Sequence, residues 1–206
     1  MRIIAVDGFV GETVVNRSRF VCTLYRVADE VRVRELIAAH RRANWDATHN
    51  CTAYVLDGGA VQRSADDGEP AGTAGAPMLE VLRGRELTDT LAVVTRYFGG
   101  VKLGAGGLVR AYGASVSDAV DGAGSVALAW WTRLRVVVDY VWAGSLEGQL
   151  RARGDVRLVD VVFGSAVVFD LACVDAGVLG AWLAGRTAGA AVVEAVGELR
   201  VELPVD

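Results

Sequence analysis

A glycine-rich segment between an apolar strand and a helix constrains the fold of this chain more than any other part of its sequence. Six glycines occur within positions 99–113, directly after residues 91–97, whose apolar sequence predicts a central strand. Glycine permits positive φ angles and a close approach of backbone segments. Because the first amides of the helix predicted at residues 106–120 are unpaired and partly positive, such a segment can hold a phosphate. Neither GxxxxGK nor a complete GxGxxG motif is present, so spacing alone is a weak nucleotide signal.

Cations and aromatic rings alternate around these glycines. Cations that hold phosphates and rings that stack on bases are the elements of single-strand nucleic-acid binding. We therefore predict a nucleic-acid or phosphate-binding site, in which cations contact phosphates, tyrosines stack on bases and glycines form the loop. Its predicted residues are Arg96, Tyr97, Gly99, Gly100, Lys102, Gly104, Gly106, Gly107, Arg110 and Tyr112. The alternative is a tight packing point between helix and sheet, in which the glycines only bring backbones together.

An acidic turn at residues 64–70 has two interpretations. Its carboxylates, Asp66, Asp67 and Glu69, are able to hold Mg²⁺ or to act as an acid/base pair. Alternatively, the aspartates satisfy amides of their own turn and the glutamate pairs with an arginine. We favour the second, because no nucleophile or further metal ligand is specified nearby, and we expect no catalytic residue, metal or cofactor. His49, in a polar cluster before the next strand, is expected to make a structural hydrogen bond.

The composition favours a folded, soluble protein of the cytoplasm. Of the 206 residues, 52% are hydrophobic, and the longest stretch without a charge, residues 122–132, is too short to span a bilayer. The first apolar run ends at Asp7, so we expect no signal peptide. The three cysteines are far apart and form no CxxC pair, which predicts buried thiols rather than a disulfide or a zinc site.

The charges are distributed unequally along the chain. A net charge of −4 argues against a strongly basic nucleic-acid module. Residues 135–206 contain ten acids and six bases, so the first 134 residues have no net charge. We therefore expect any anion-binding surface to lie in the first part of the chain.

The predicted elements divide the chain into two domains, residues 1–131 and 132–206, of an α+β fold class. For the first domain, hydrophobic periodicity and turn residues predict strands at 20–27, 51–56, 61–64 and 91–97, and helices at 30–43, 73–82 and 106–120. For the second they predict strands at 134–141, 157–163, 166–173 and 191–203, and helices at 145–153 and 176–184. This β-α-β-β-α-β order is that of a ferredoxin-like domain.

Two motifs of this chain closely resemble the IMPACT/YigZ family. They are residues 64–78, Ser-Ala-Asp-Asp-Gly-Glu-Pro-Ala-Gly-Thr-Ala-Gly-Ala-Pro-Met, and residues 94–113, which contain Arg-Tyr-Phe-Gly-Gly and Lys-Leu-Gly-Ala-Gly-Gly-Leu-Val-Arg-Ala-Tyr-Gly. The segments Arg-Ser-Arg-Phe at 17–20 and His-Asn-Cys-Thr-Ala-Tyr at 49–54 are also similar to family motifs. Bacterial relatives often have lysine in place of Arg17, and a second histidine in place of Asn50, which argues against a histidine pair that binds metal here.

The resemblance implies a bacterial two-domain protein. Its N-terminal domain would have the fold shared by the second domain of a small-subunit ribosomal protein and the GHMP kinases. Its C-terminal domain would resemble the last domain of elongation factor G. Eukaryotic members act in translational control, and the folds of bacterial members point to nucleic-acid or ribosome binding, which is an argument by analogy.

We therefore expect a non-enzymatic, translation-linked regulator that binds RNA, the ribosome or a ribosome-associated protein through its N-terminal domain. One alternative is an enzyme that acts on a phosphorylated small molecule or nucleotide. Another is a protein–protein interaction module in which the acidic turn neutralises Arg96. The sequence does not establish the oligomeric state.

Overall fold

The computed structural model describes residues 1–203 and shows an α+β protein, as predicted. The chain forms two compact units, Met1–Ala127 and Leu128–Glu202. The predicted boundary after Trp131 lies in the same strand as this division and stays a prediction. Within residues 1–203, no helix has the length and apolar character needed to cross a membrane.

The first unit is built on a five-stranded antiparallel sheet. Its elements are β1 (Arg2–Ile4), β2 (Phe9–Val15), β3 (Ser18–Arg26), α1 (Glu30–Ala43), β4 (His49–Leu56), β5 (Val61–Ala65), α2 (Gly75–Gly84), β6 (Thr90–Tyr97), α3 (Gly104–Ala123) and the start of β7 (Ser125–Val138). The strand order is β2-β3-β6-β4-β5, so β6 occupies the centre, as its apolar sequence predicted. The short β1 pairs with the start of β7.

Helices cover both faces of this sheet. On one face, α2 and α3 pack over alternate strand residues such as Phe20, Cys22 and Val94. On the other face, residues of α1 pack against Leu91 and Val93. Because β6 is buried on both faces, its sequence is a continuous apolar run rather than an alternating one.

The first helix begins where its sequence predicts. The Asp29 carboxylate accepts a hydrogen bond from the backbone amide of Arg32 at 2.8 Å, so it satisfies one of the otherwise unpaired amides of the first turn. Its apolar residues Val33, Leu36 and Ile37 face the sheet.

The second unit has the ferredoxin-like order of elements. After β7 come α4 (Tyr140–Arg151), β8 (Val156–Phe163), β9 (Val167–Cys173), α5 (Ala176–Thr187) and β10 (Val192–Leu203). In the sheet, β9 lies between β7 and β8, and β10 pairs with the other side of β7. The carboxylate of Asp175 caps α5 by accepting from the amide of Val178 at 2.9 Å, which confirms the predicted cap.

Several elements differ from the sequence prediction. Strand β1 was not predicted, and β7 begins at Ser125 and ends at Val138 where a strand at 134–141 was predicted. Two further differences have identifiable reasons. Helix α4 begins at Tyr140 rather than at residue 145, because the Asp139 carboxylate accepts from the amide of Val141 and starts the helix earlier. The strand β2 was not predicted, because its outward residues are Val10 and Val14 while Gly11 is turned inward, the reverse of the usual pattern.

Candidate functional site

Strand order brings the acidic turn next to the glycine-rich segment. Strand β4 lies between β5 and β6. Its Thr52 pairs with Ala65 of β5, and its His49 pairs with Arg96 of β6. The acidic turn follows β5 and the glycine-rich segment follows β6, so both lie at the same end of the sheet. Sequence separation alone does not reveal this neighbourhood.

The two segments meet in a buried ion pair. Arg96 Nη1 lies 2.6 Å from Glu69 Oε1, and the two residues are 5% and 8% exposed. Ser18 Oγ accepts from Arg96 Nη2 at 3.3 Å, and the guanidinium stacks near the ring of Phe20. Arg96 was predicted to contact phosphate. In this structure its charge is instead matched by Glu69. The sequence predicted an arginine partner for this glutamate, and one of the alternatives had Arg96 neutralised by the acidic turn.

Tyr112 belongs to the same buried group. Its hydroxyl donates to Glu69 Oε1 at 2.8 Å, and its ring packs edge-on against Phe20 with centroids 5.1 Å apart. The side chain is fully buried, so the expectation that Tyr112 stacks on bases is corrected. Its position on α3 points the ring into the core between helix and sheet. Burial raises the pKa of its hydroxyl.

Cys51 completes this inner cluster, which we define as Cys51, Glu69, Arg96 and Tyr112. Its Sγ lies 2.9 Å from the carbonyl oxygen of Asp66 and 3.3 Å from the hydroxyl oxygen of Tyr112. Burial raises the pKa of the thiol to about 12, so it stays protonated and unreactive near neutral pH. All three cysteines of the chain are free and buried, as the sequence predicted.

The aspartates of the acidic turn hold backbone amides. The Asp66 carboxylate accepts from the amides of Gly72, Ala74 and Gly75 at 2.8–3.1 Å, and so caps α2 from outside the helix. Partial burial raises the pKa of Asp66, but these three hydrogen bonds outweigh that effect and hold the pKa below its usual value.

Asp67 joins the turn to the neighbouring strand and helix. Its carboxylate accepts from the amide of Asn50 at 2.7 Å and pairs with Arg41 at 2.6 Å. His49 Nδ1 lies 2.8 Å from the carbonyl oxygen of Asp67, which is the structural hydrogen bond expected for this histidine. Within residues 1–203, no three His, Cys, Asp or Glu side chains are grouped as metal ligands would be.

The glycines after β6 fall into two kinds. A Cβ on Gly99 would lie 2.0 Å from the carbonyl oxygen of Arg17, so this glycine is required by close backbone packing. In contrast, Gly100 and Gly104 have φ angles of +84° and +70°, and a Cβ there would meet open space. In α3, a Cβ on Gly107 would lie 3.0 Å from Leu103 Cβ. The packing interpretation therefore applies at position 99, and the open backbone needed for ligand approach occurs at 100 and 104.

The remaining cations and rings lie around the end of β6 and are exposed except for the half-buried Tyr97; we call this set the outer rim. It consists of Arg17, Arg19, Tyr97, Phe98, Lys102 and Arg110. The guanidinium carbon of Arg19 lies 4.8 Å from the ring centroid of Tyr97, and Phe98 is 48% exposed. Among the described residues, Arg17, Lys102 and Arg110 form no ion pair, whereas Arg19 pairs with Glu12 at 3.3 Å.

Sequence reasoning missed Trp45, which is 83% exposed. Its loop is tied to the end of β6, because the Tyr97 hydroxyl donates to Asn44 Oδ1 and the amide of Phe98 donates to Thr48 Oγ1. Trp45 therefore lies in a loop that is fixed beside the outer rim. A tryptophan in a polar stretch, three positions after the second of two arginines, was the available signal.

A pocket of about 370 Å³ opens between the inner cluster and the outer rim. It is lined by Glu69, Pro70, Arg96, Phe98, Lys102, Leu103, Gly104, Ala105 and Leu108. Two buried charges thus lie at a pocket whose other walls are mainly apolar, at the first turn of α3.

Comparison with known proteins places this geometry in a family. The Impact N-terminal domain matches residues 16–120, which include both motifs and the whole site. The IMPACT family member YvyE of Bacillus subtilis is 52% identical over 141 residues, which are 68% of this chain and 65% of that protein. An IMPACT family member encoded in the pol 5' region of Thermus thermophilus is 41% identical over 68% of this chain and 75% of that protein.

The fold also has a counterpart among solved structures. A crystal structure of a hypothetical protein aligns with a TM-score of 0.62 and 29% identity, over 95% of this chain and 96% of the other. The match to YvyE leaves about a third of that relative uncovered, so activities of whole relatives are not transferred. With its domain match spanning about half of the residues and relatives at 41% and 52% identity, this chain belongs to the IMPACT family.

Proposed function

We propose that this protein is a non-enzymatic, translation-linked regulator of the cytoplasm whose first unit binds RNA, free or on the ribosome, through the outer rim. The observation that carries the proposal is the presence of unpaired cations and of the exposed rings of Phe98 and Trp45 at one end of the sheet. Arg17, Lys102 and Arg110 are exposed and have no acidic partner within the described residues, and Phe98 lies among them.

The acidic turn leaves this surface positive. Glu69 is matched by Arg96 and Asp67 by Arg41, while Asp66 accepts from three backbone amides. The three carboxylates of the acidic turn are thus engaged by other groups of the protein, and among the described residues Arg19 is the one outer-rim cation with an acidic partner, Glu12. Although the first 134 residues have no net charge, they can therefore still present a local cationic surface.

The chemistry of the outer rim suits a single strand better than a duplex. Exposed rings stack on unpaired bases, and flanking cations follow the phosphate backbone. The stacking predicted from sequence is assigned here to Tyr97 and Phe98, with Trp45 as an added ring. Membership in a family whose eukaryotic members act in translational control supports the link to translation. A ribosome-associated protein with an acidic surface is the alternative partner.

The test is binding of fluorescently labelled single-stranded RNA, measured by anisotropy at several salt concentrations. We expect the wild type to bind with a steep salt dependence. Replacing Arg17, Lys102 and Arg110 with alanine should weaken binding at least about tenfold and reduce the salt slope by about 2, since each phosphate contact on a single strand contributes about 0.7.

The matched control removes three charges elsewhere. Replacing Arg83, Arg151 and Arg157 with alanine changes the net charge equally but leaves the outer rim intact. This control should bind like the wild type. Absence of salt-dependent binding of the wild type to both single-stranded RNA and ribosomes would refute the proposal.

A second candidate is an enzyme that acts on a phosphorylated small molecule or nucleotide, favoured by the pocket beside Phe98. Its metal would need carboxylates of the acidic turn, which already hold Arg96, Arg41 and the amides of α2. Thermal stabilisation by millimolar Mg²⁺-nucleotide, with turnover of that nucleotide, would favour the enzyme. An unchanged melting temperature would exclude it.

A further inference from the structure

The pocket at the start of α3 combines an apolar wall with an exposed aromatic ring. Its volume of about 370 Å³ is within the usual range for small-molecule sites. Pro70, Leu103 and Leu108 form apolar walls, and Phe98 stands at the edge with nearly half of its surface exposed. The guanidinium of Arg96 lies 5.5 Å from the Phe98 ring centroid and holds one side of the ring in place.

One end of the pocket is formed by the positive end of α3. No side chain caps α3, and its first turn contains no acidic residue. Lys102 directly precedes the helix, and Arg110 Nη1 reaches back to 3.6 Å from the position that a Cβ on Gly106 would occupy. Cations at the positive end of a helix dipole repel it, so an anion bound there would relieve the repulsion.

Arg96 and Glu69 form a buried, polar part of the pocket lining. Arg96 lines the pocket and is 5% exposed, and its Nε–H has no hydrogen-bond partner among the described residues. Buried donors are nearly always paired in folded proteins, so an orphaned donor beside a pocket points to a ligand that supplies the acceptor. Glu69 lines the same pocket and offers an acceptor.

We propose that this pocket binds one nucleotide, with its base against Phe98, its phosphate against Lys102 and the first amides of α3, and its base edge toward Arg96 and Glu69. A stacking ring, an anion site and a buried donor beside an acceptor match the three parts of a nucleotide. Inorganic phosphate would leave the apolar wall empty. This inference rests on the proposed function in one respect: the bound nucleotide is one that is turned out of an RNA strand held by the outer rim. A free nucleotide has the same chemistry and is the alternative source.

The pocket is tested by one variant that removes its aromatic ring and one that fills its volume. Phe98→Ala removes the stacking ring, and Ala105→Trp places a bulky side chain in the pocket from an exposed position in the first turn of α3. The control, Ala76→Trp, makes the same change at an exposed position in the first turn of α2. Binding of single-stranded RNA is measured by anisotropy, and binding of AMP and UMP by calorimetry.

We expect Phe98→Ala and Ala105→Trp each to weaken RNA binding about tenfold, with the salt slope of Phe98→Ala unchanged because no cation is lost. Ala76→Trp should bind like the wild type. If AMP or UMP alone binds and Ala105→Trp abolishes that binding, free nucleotide is a source. If only RNA binding responds, the source is a strand.

The outcomes separate this inference from the proposed function. If RNA binds with the expected salt slope and both pocket variants match Ala76→Trp, the pocket proposal is wrong. The outer rim proposal then keeps its cations but loses Phe98 as a stacking ring. If the wild type binds neither single-stranded RNA nor ribosomes but binds AMP in a manner sensitive to Ala105→Trp, the proposed function is wrong and the nucleotide pocket stands. Binding of neither probe overturns both.

Discussion

The inner cluster and the outer rim arise from the same stretch of sequence but have opposite relations to solvent. Arg96 and Lys102 are only six positions apart, yet the first is buried against Glu69 and the second is exposed without an ion pair among residues 1–203. The change occurs where β6 ends and the backbone turns at Gly99 and Gly100. A cation at the end of a central strand is held by the fold, whereas a cation beyond the glycines is available to a partner.

The two regions also differ in what their charges contribute to stability. A buried ion pair contributes little compared with an apolar replacement, but removing one member leaves a costly uncompensated charge. An exposed cation without a partner contributes almost nothing to folding. Variants of the inner cluster should therefore change stability, and variants of the outer rim should change binding.

The largest effect is expected from Glu69→Ala, which leaves the guanidinium of Arg96 buried without its anion. The free energy of unfolding should fall by about 3–5 kcal/mol, as measured by urea denaturation. Glu80→Ala, which removes an exposed partner of Arg83, is the control and should cost less than about 0.5 kcal/mol. An equal loss of unfolding free energy in the two variants would show that burial of the Glu69–Arg96 pair makes no difference to stability.

The next largest effect is expected at the junction of the two regions. Gly99→Ala should lower the unfolding free energy by about 2–3 kcal/mol, because its Cβ collides with the backbone of Arg17. Gly100→Ala meets no neighbouring atom and should cost about 1 kcal/mol, because its φ of +84° is strained for alanine. A reversed order in thermal denaturation would show that the glycines serve backbone conformation alone.

A pH titration examines Asp66 of the acidic turn, next to the inner cluster. Asp66 has a pKa below its usual value in the folded protein, so its contribution is present above about pH 4 and disappears as the pH falls through the lowered pKa. Asp66→Asn should be less stable than the wild type by about 1 kcal/mol at pH 7. The stabilities of the two proteins should converge as the pH falls below the lowered pKa of Asp66, and a constant difference at all pH values would contradict this role for the charge.

The smallest effect on stability is expected in the outer rim. Lys102→Ala and Arg110→Ala should each change the unfolding free energy by less than about 0.5 kcal/mol. A larger loss in either variant, measured by the same urea titration, would mean that the outer rim is part of the folded framework rather than a surface for a partner.

Much of the fold was predictable from local patterns. The continuous apolar run of β6 gave its central position, and the carboxylates of Asp29 and Asp175 marked two helix starts. Strand β2 escaped prediction because Gly11 faces α3, where a Cβ would lie 3.5 Å from Ala119, and this close packing places its valines outward.

The residues of the candidate site were predictable from the sequence, but which of them are buried and which are exposed was not. The motif residues and their charges are visible in the sequence, and so was the possibility that a glutamate pairs with an arginine. The burial of Arg96 and Tyr112 depends on β4 lying between β5 and β6, which is a pairing between distant segments. Local patterns carry no information on that pairing, so exposed and buried members of one motif looked alike.

The central position of β6 has a consequence for how the first unit is assembled. Of the five strands in its sheet, β6 is the last in sequence, and both β3 and β4 depend on it for a neighbour. During synthesis, the hairpins β2–β3 and β4–β5 therefore have open edges until residue 97 has left the ribosome. Closure of the sheet and formation of the Glu69–Arg96 pair are therefore expected only after β6 has been made, and the outer rim is complete only after Arg110 has followed.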